Sequence, residues 1–192
     1  DLITANIYRL PKKASIIELE DYETMDEEGI HHFHGHAEES EKIAEAVLKR
    51  LKFDNDTTRT VTKLVLYHDR KFELGKKYVR RGINKIGEDL FPLLFPVQEA
   101  DIYGQSDYMR EEKLEYLNKL QAIYDEIIAS KDCVSLKTLA VSGSDLIALG
   151  MKPGKEIGAT LQKLLDLVLE DATMNTKETL LSHMNIQSDK KS

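Results

Sequence analysis

Four histidines fall within six positions in the run H-H-F-H-G-H, as His31, His32, His34 and His36. Neutral imidazole is the commonest metal ligand. Alternate residues of an extended segment share a side, so His32, His34 and His36 make one candidate ligand group, and a solvated histidine-rich loop is the bland alternative. A sharper set is His36, His68 with its neighbour Asp69, and Asp101, each expected at the start or on the inward face of a different helix. Buried polar side chains in such places need partners or a metal. A divalent ion held there would lower the pKa of a bound water and make it a nucleophile toward a phosphate ester. The same residues would equally serve as a structural hydrogen-bond network across a helix bundle.

Two further groups suit phosphate. Arg70, Lys71, Lys76, Lys77, Arg80, Arg81 and Lys85 lie close together with only Glu73 opposing them, which fits either a phosphate backbone or a solvated helix face. Lys152 and Lys155 stand beside Gly154 and Gly158 in a glycine-rich loop. The loop opens a helix whose first amides lack partners, and missing Cβ atoms let an anion approach them. Close helix packing is the other reading of those glycines. Nucleotidyl transfer would need a Gly-Ser turn followed by paired carboxylates. The nearest lookalike, Ser142-Gly143-Ser144-Asp145, opens a helix and has no second carboxylate two residues on. Neither a G-x-x-x-x-G-K-(S/T) loop nor a G-x-G-x-x-G turn is present. Cys133 is the single cysteine, so no intrachain disulfide forms, and it has no placed histidine partner for thiol chemistry.

The elements that must position these groups read as helices. From Ala37, Ile43, Ala46, Val47, Leu48 and Leu51 recur on one side. Asn55 or Asp56 is expected to cap the next helix, with Val61, Leu64, Val65 and His68 on its apolar face. Tyr78 to Asp89 carries Val79, Ile83, Ile86 and Leu90. Pro92 begins a helix in which Leu94, Val97 and Asp101 share a face, and a long helix follows from about Asp107 to Ser130 with Leu114, Leu117, Leu120, Ile123 and Ile127. Residues 131–140 connect to a hairpin. Ser144 is expected to cap its first helix and Gly150 to end it, with Pro153 in the first turn of a second helix lined by Ile157, Leu161, Leu164, Leu165 and Val168. Asn175 or Thr176 starts a last helix with Leu180 and Leu181. Strand alternation never runs beyond a few residues, so the expected fold class is all-α.

At 192 residues, with 32% charged and 41% hydrophobic, the sequence suits one compact domain, with or without an appendage. No apolar run approaches the roughly 20 residues that cross a bilayer, and the longest, Leu90 to Val97, contains prolines. The start has neither a signal-peptide core nor an initiator methionine, so a cytoplasmic protein with its true N-terminus upstream is expected. A net charge of −7 argues against a general nucleic-acid coat and leaves local patches to do any binding.

The order H-F-H-G-H, then L-V-L-Y-H-D-R, E-A-D-I-Y-G-Q and G-S-D-L-I-A-L-G-M-K-P-G-K-E-I-G-A-T-L-Q-K-L-L resembles the C-terminal half of bacterial tRNA nucleotidyltransferases, the CCA-adding enzymes and their poly(A) polymerase relatives. The resemblance covers about Thr24 to Leu181, and its last motif is the most specific. It implies an HD-like helical bundle over 30–130 followed by a helical hairpin tail over 131–185, which in the family holds tRNA. Residues 1–29 are expected to be irregular, either a short helix and a loop or a strand pair leading into the next element, and 186–192 to be disordered. The family's polymerase head has no counterpart here. Its HD dipeptide is also missing, since the corresponding region reads A-S-I-I-E-L-E-D-Y-E, and His68-Asp69 is not that dipeptide.

The resulting expectation is an RNA-positioning region of a tRNA nucleotidyltransferase. Its partner would be tRNA or another structured RNA, contacted by Arg70, Lys71, Lys76, Lys77, Arg80, Arg81, Lys85, Lys152, Gly154, Lys155 and Gly158. The alternatives are an HD-type phosphohydrolase using a divalent metal on His36, His68 and Asp101 with Asp69, and a non-catalytic scaffold acting as a homodimer.

Overall fold

The computed structural model describes residues 23–25, 31–33, 36–105 and 107–188, with side chains described from 37 to 183 except 106. The expectations for residues 1–22 and 189–192, and for the side chains of His31, His32, His34 and His36, lie outside these, whereas residues 186–188 of the expected disordered tail are the last turn of a helix. A short antiparallel ribbon pairs β1 (Glu23–Met25) with β2 (His31–Phe33), setting Glu23 opposite Phe33. The other long elements of the described residues are helices, joined by loops: α1 (His36–Arg50), α2 (Asn55–Tyr67), α3 (Lys76–Ile86), α4 (Leu94–Gly104), α5 (Arg110–Ala129), α6 (Gly143–Ala148), α7 (Lys155–Glu170) and α8 (Lys177–Ser188). No described helix is long and apolar enough to cross a membrane. The described residues form two compact units, each discontinuous in sequence. One holds residues up to Lys71 with Pro92–Leu114; the other holds Phe72–Phe91 and the chain from Glu115 onward.

In the first unit α1 packs on α2. The buried faces are Ala37, Ala44 and Leu48 on α1 and Thr58, Val61 and Thr62 on α2. The threonines are tolerated because each hydroxyl bonds a nearby carbonyl, Thr58 to Asp54 at 2.8 Å and Thr62 to Arg59 at 3.2 Å. The cap of α2 is Asp54, one or two positions before the expected Asn55 or Asp56, and its carboxylate accepts from the Thr57 amide at 2.8 Å and the Thr57 hydroxyl at 2.6 Å. Leu51, expected on the apolar face of α1, is 59% exposed because the helix has already stopped at Arg50.

The second unit is built on α3. Val79, Ile83, Ile86 and Leu90 form the expected line and are all buried, at roughly 1.5–3 kcal/mol of transfer free energy per large side chain. Gly82 shares this face, where a Cβ would lie 2.9 Å from ring carbons of both Phe72 and Phe91. Phe91 in turn stacks on Tyr124 of α5 with ring centroids 5.6 Å apart. The Tyr116 hydroxyl, also from α5, accepts from the Phe72 amide at 2.7 Å and donates to the Phe72 carbonyl at 2.9 Å, satisfying both main-chain groups of a loop residue. A neighbouring core gathers Cys133, Val141, Leu146, Leu164, Leu165, Val168, Leu169 and Leu180. Side-chain amides fasten the connector over it: Asn84 to the Val134 carbonyl at 2.8 Å, and Asn175 to the Ala140 amide at 2.8 Å and the Thr138 carbonyl at 3.1 Å.

Candidate nucleic-acid interface

The α6–α7 hairpin is fixed at every corner. Ser142, not Ser144, caps α6 in a reciprocal box: its hydroxyl accepts from the Asp145 amide, and the Asp145 carboxylate accepts from the Ser142 amide at 2.9 Å. Lys177 of α8 donates to the other Asp145 oxygen at 2.6 Å, and this bond, with those from Ser142, holds the carboxyl far below its ordinary range. The helix stops at Gly150, whose φ of 92° lets its amide reach the Ile147 carbonyl while the Met151 amide reaches Leu146. Pro153 falls just outside α7 rather than in its first turn, because Gly154 is the N-cap.

Gly154 has φ 158° and brings no side chain to cap the first amides of α7. A Cβ built on Gly154 or Gly158 meets nothing within 4 Å. Neither glycine is therefore needed for packing within the chain, and both are exposed together with Lys152 and Lys155. The result is a helix N-terminus with two lysines beside it and bare backbone where side chains would normally stand.

The cations of α3 are placed differently. Lys76 pairs with Glu126 at 3.0 Å; Lys77 and Arg81 take the two carboxylate oxygens of Glu170 at 2.8 and 2.9 Å. The hydrogen bond from Lys77 is the main cause that lowers the Glu170 pKa, and Glu170 in turn raises that of Lys77. Arg80 departs most from expectation. It is 5% exposed, and its guanidinium donates to the Leu169 carbonyl at 3.0 Å, the Glu170 carbonyl at 2.9 Å and Asp132 at 2.9 Å. A side chain so committed closes the C-terminus of α7 and is not a phosphate contact. Lys85, Arg70 and Lys71 are exposed, with Arg70 lying 5.8 Å from the centre of the Tyr67 ring.

The proposed ligand set is only partly described. His31–Phe33 form β2 and His36 begins α1, while His34 and Gly35 lie outside the described residues. His68 is half-buried at the end of α2 with Nδ1 2.6 Å from the Val65 carbonyl, and Asp101 accepts from the Gln105 side-chain amide at 2.6 Å. Asp69 is exposed. Among the described residues no three His, Cys, Asp or Glu side chains come together as a metal-holding group, and the side chain of His36 lies outside those residues.

Comparison with known proteins gives a consistent result. The family model described as "tRNA nucleotidyltransferase domain 2 putative" matches residues 24–184. A CC-adding tRNA nucleotidyltransferase from Thermus thermophilus is 33% identical over 153 residues, which are 79% of this chain and 33% of that protein. The chain thus spans about a third of the length of the curated relative it matches. No solved structure matches it.

Proposed function

The chain belongs to the tRNA nucleotidyltransferase domain 2 family, and from that premise we propose that it is the RNA-positioning C-terminal region of an enzyme that adds nucleotides to tRNA 3′ ends. The Thermus relative is by name a CC-adding enzyme, which supports tRNA as the partner. In this reading the hairpin grips a phosphate of tRNA with the start of α7, which no side chain caps, and with Lys152 and Lys155, while Lys76, Lys77, Arg81 and Lys85 add a field that steers the backbone. Contacts of this kind fix register and orientation and read shape rather than bases.

The observation that carries this reading is the empty space over Gly158, inside the first turn of α7. Glycine inside a helix costs about 1 kcal/mol relative to alanine, and here no internal contact repays it. A ligand backbone that must come close would. Gly158→Leu separates the two readings, because the space is open and the helix tolerates the side chain. Its melting temperature should stay level or rise, while tRNA affinity measured by fluorescence anisotropy falls at least tenfold, as it also should in Lys152→Ala/Lys155→Ala. Unchanged tRNA affinity in both variants would sink the proposal.

A further inference from the structure

Glu170, the last residue of α7, stands between two cations of α3. Its Oε1 accepts from Lys77 Nζ at 2.8 Å and its Oε2 lies 2.9 Å from the Arg81 guanidinium. Side-chain exposures of 41%, 53% and 46% for Lys77, Arg81 and Glu170 leave all three open to solvent. The main chain of Glu170 is anchored separately, since its carbonyl accepts from buried Arg80 at 2.9 Å. The carboxylate is therefore tethered at the cation pair by a rigid support, with one oxygen on each cation, where two phosphate oxygens would otherwise sit.

We infer that Glu170 is a specificity-determining residue of the RNA interface: it occupies the Lys77–Arg81 pair so that this ridge does not hold phosphates indiscriminately, leaving selection to the hairpin. The inference rests on the proposed RNA-holding role. A polyanion arriving from solvent competes with a carboxylate whose effective concentration is on the order of mM or higher. Exposed pairs of this kind are individually weak, so the carboxylate filters phosphates without excluding one brought in by a ligand already docked. Isosteric Glu170→Gln removes the charge and keeps the main-chain bond to Arg80.

The test measures anisotropy of labelled tRNA and of a labelled oligouridylate across a salt series. In Glu170→Gln, oligouridylate should bind roughly 3- to 10-fold more tightly at low salt, with a slope of log K against log salt steeper by about 0.7 per added phosphate contact. The gain for tRNA should be smaller, so discrimination falls. In Lys77→Gln/Arg81→Gln/Glu170→Gln the gain should vanish, which a structural role for Glu170 would not predict. Glu170→Ser serves as a second variant, with melting curves recorded for each. Unchanged oligouridylate binding, an equal gain for both ligands, or a gain that survives loss of Lys77 and Arg81 overturns the inference. Wild-type protein that binds tRNA through the hairpin while Glu170→Gln is inert sinks this inference alone. Indifference of tRNA to the hairpin variants sinks the RNA-holding role beneath it.

Discussion

Val79 and Ile83 are fully buried, so Arg80, one residue after the first and three before the second, is carried to the edge of the same core. A guanidinium there must find all its partners inside the protein, and it does: two carbonyls closing α7 and the carboxylate of Asp132, itself only 12% exposed. The signal was present in the spacing, yet charge clustering in Arg70 to Lys85 masked it, because seven basic residues look alike until the partners from α7 and the chain after α5 are in view. Arg80→Met should therefore act on stability rather than on charge. It strands Asp132 and two carbonyls, and removing one partner of a buried pair typically costs about 3–5 kcal/mol. A urea titration followed by circular dichroism should show an unfolding free energy lower by that amount, whereas an unaltered midpoint would return Arg80 to the surface set. Arg80→Lys should recover only part of the loss, since an ammonium does not reproduce the fork that reaches three acceptors.

Three helices end in the same way. After α1, α5 and α6 a residue with positive φ sends its amide back to a carbonyl of the last turn, and these residues are Lys52 (59°), Lys131 (52°) and Gly150 (92°). Only Gly150 was legible as a stop, because glycine marks the left-handed position and lysine does not. Just beyond the stops at Lys52 and Lys131 stand residues with partners elsewhere: Asp54 caps α2, and Asp132 accepts from Arg80. The helical faces themselves were readable, since Val79, Ile83, Ile86 and Leu90, and Leu164, Leu165 and Val168, repeat at the spacing of one buried stripe. Lys131→Gly should relieve the left-handed strain and raise stability by up to about 1 kcal/mol, partly offset by the greater freedom of glycine in the unfolded chain. Thermal unfolding checks it. A destabilised variant would mean that the Lys131 side chain contributes more than its backbone costs.

Across the whole molecule, 27 basic residues face 34 acidic ones, and the structure uses many cations internally. Lys76, Lys77, Arg80 and Arg81 are all tied to carboxylates, so the basic cluster seen in the sequence is largely an assembly device that joins α3 to α5 and α7. The hairpin motif had the opposite fate: Lys152, Gly154, Lys155 and Gly158 stay exposed, and the local pattern alone pointed to the candidate grip. Pairing between distant segments, such as Lys77 with Glu170, stayed hidden because periodicity within one helix does not encode it. The consequence is a shallow electrostatic footprint. Each phosphate neutralised contributes about 0.7–0.9 to the slope of log K against log salt, and a grip resting on Lys152, Lys155 and two or three phosphates gives a tRNA slope of about −1 to −3. Binding isotherms at several potassium chloride concentrations measure it directly. A slope steeper than about −5 would require most of the α3 cations to leave their carboxylates for RNA, and the hairpin would then be a minor contributor rather than the principal contact.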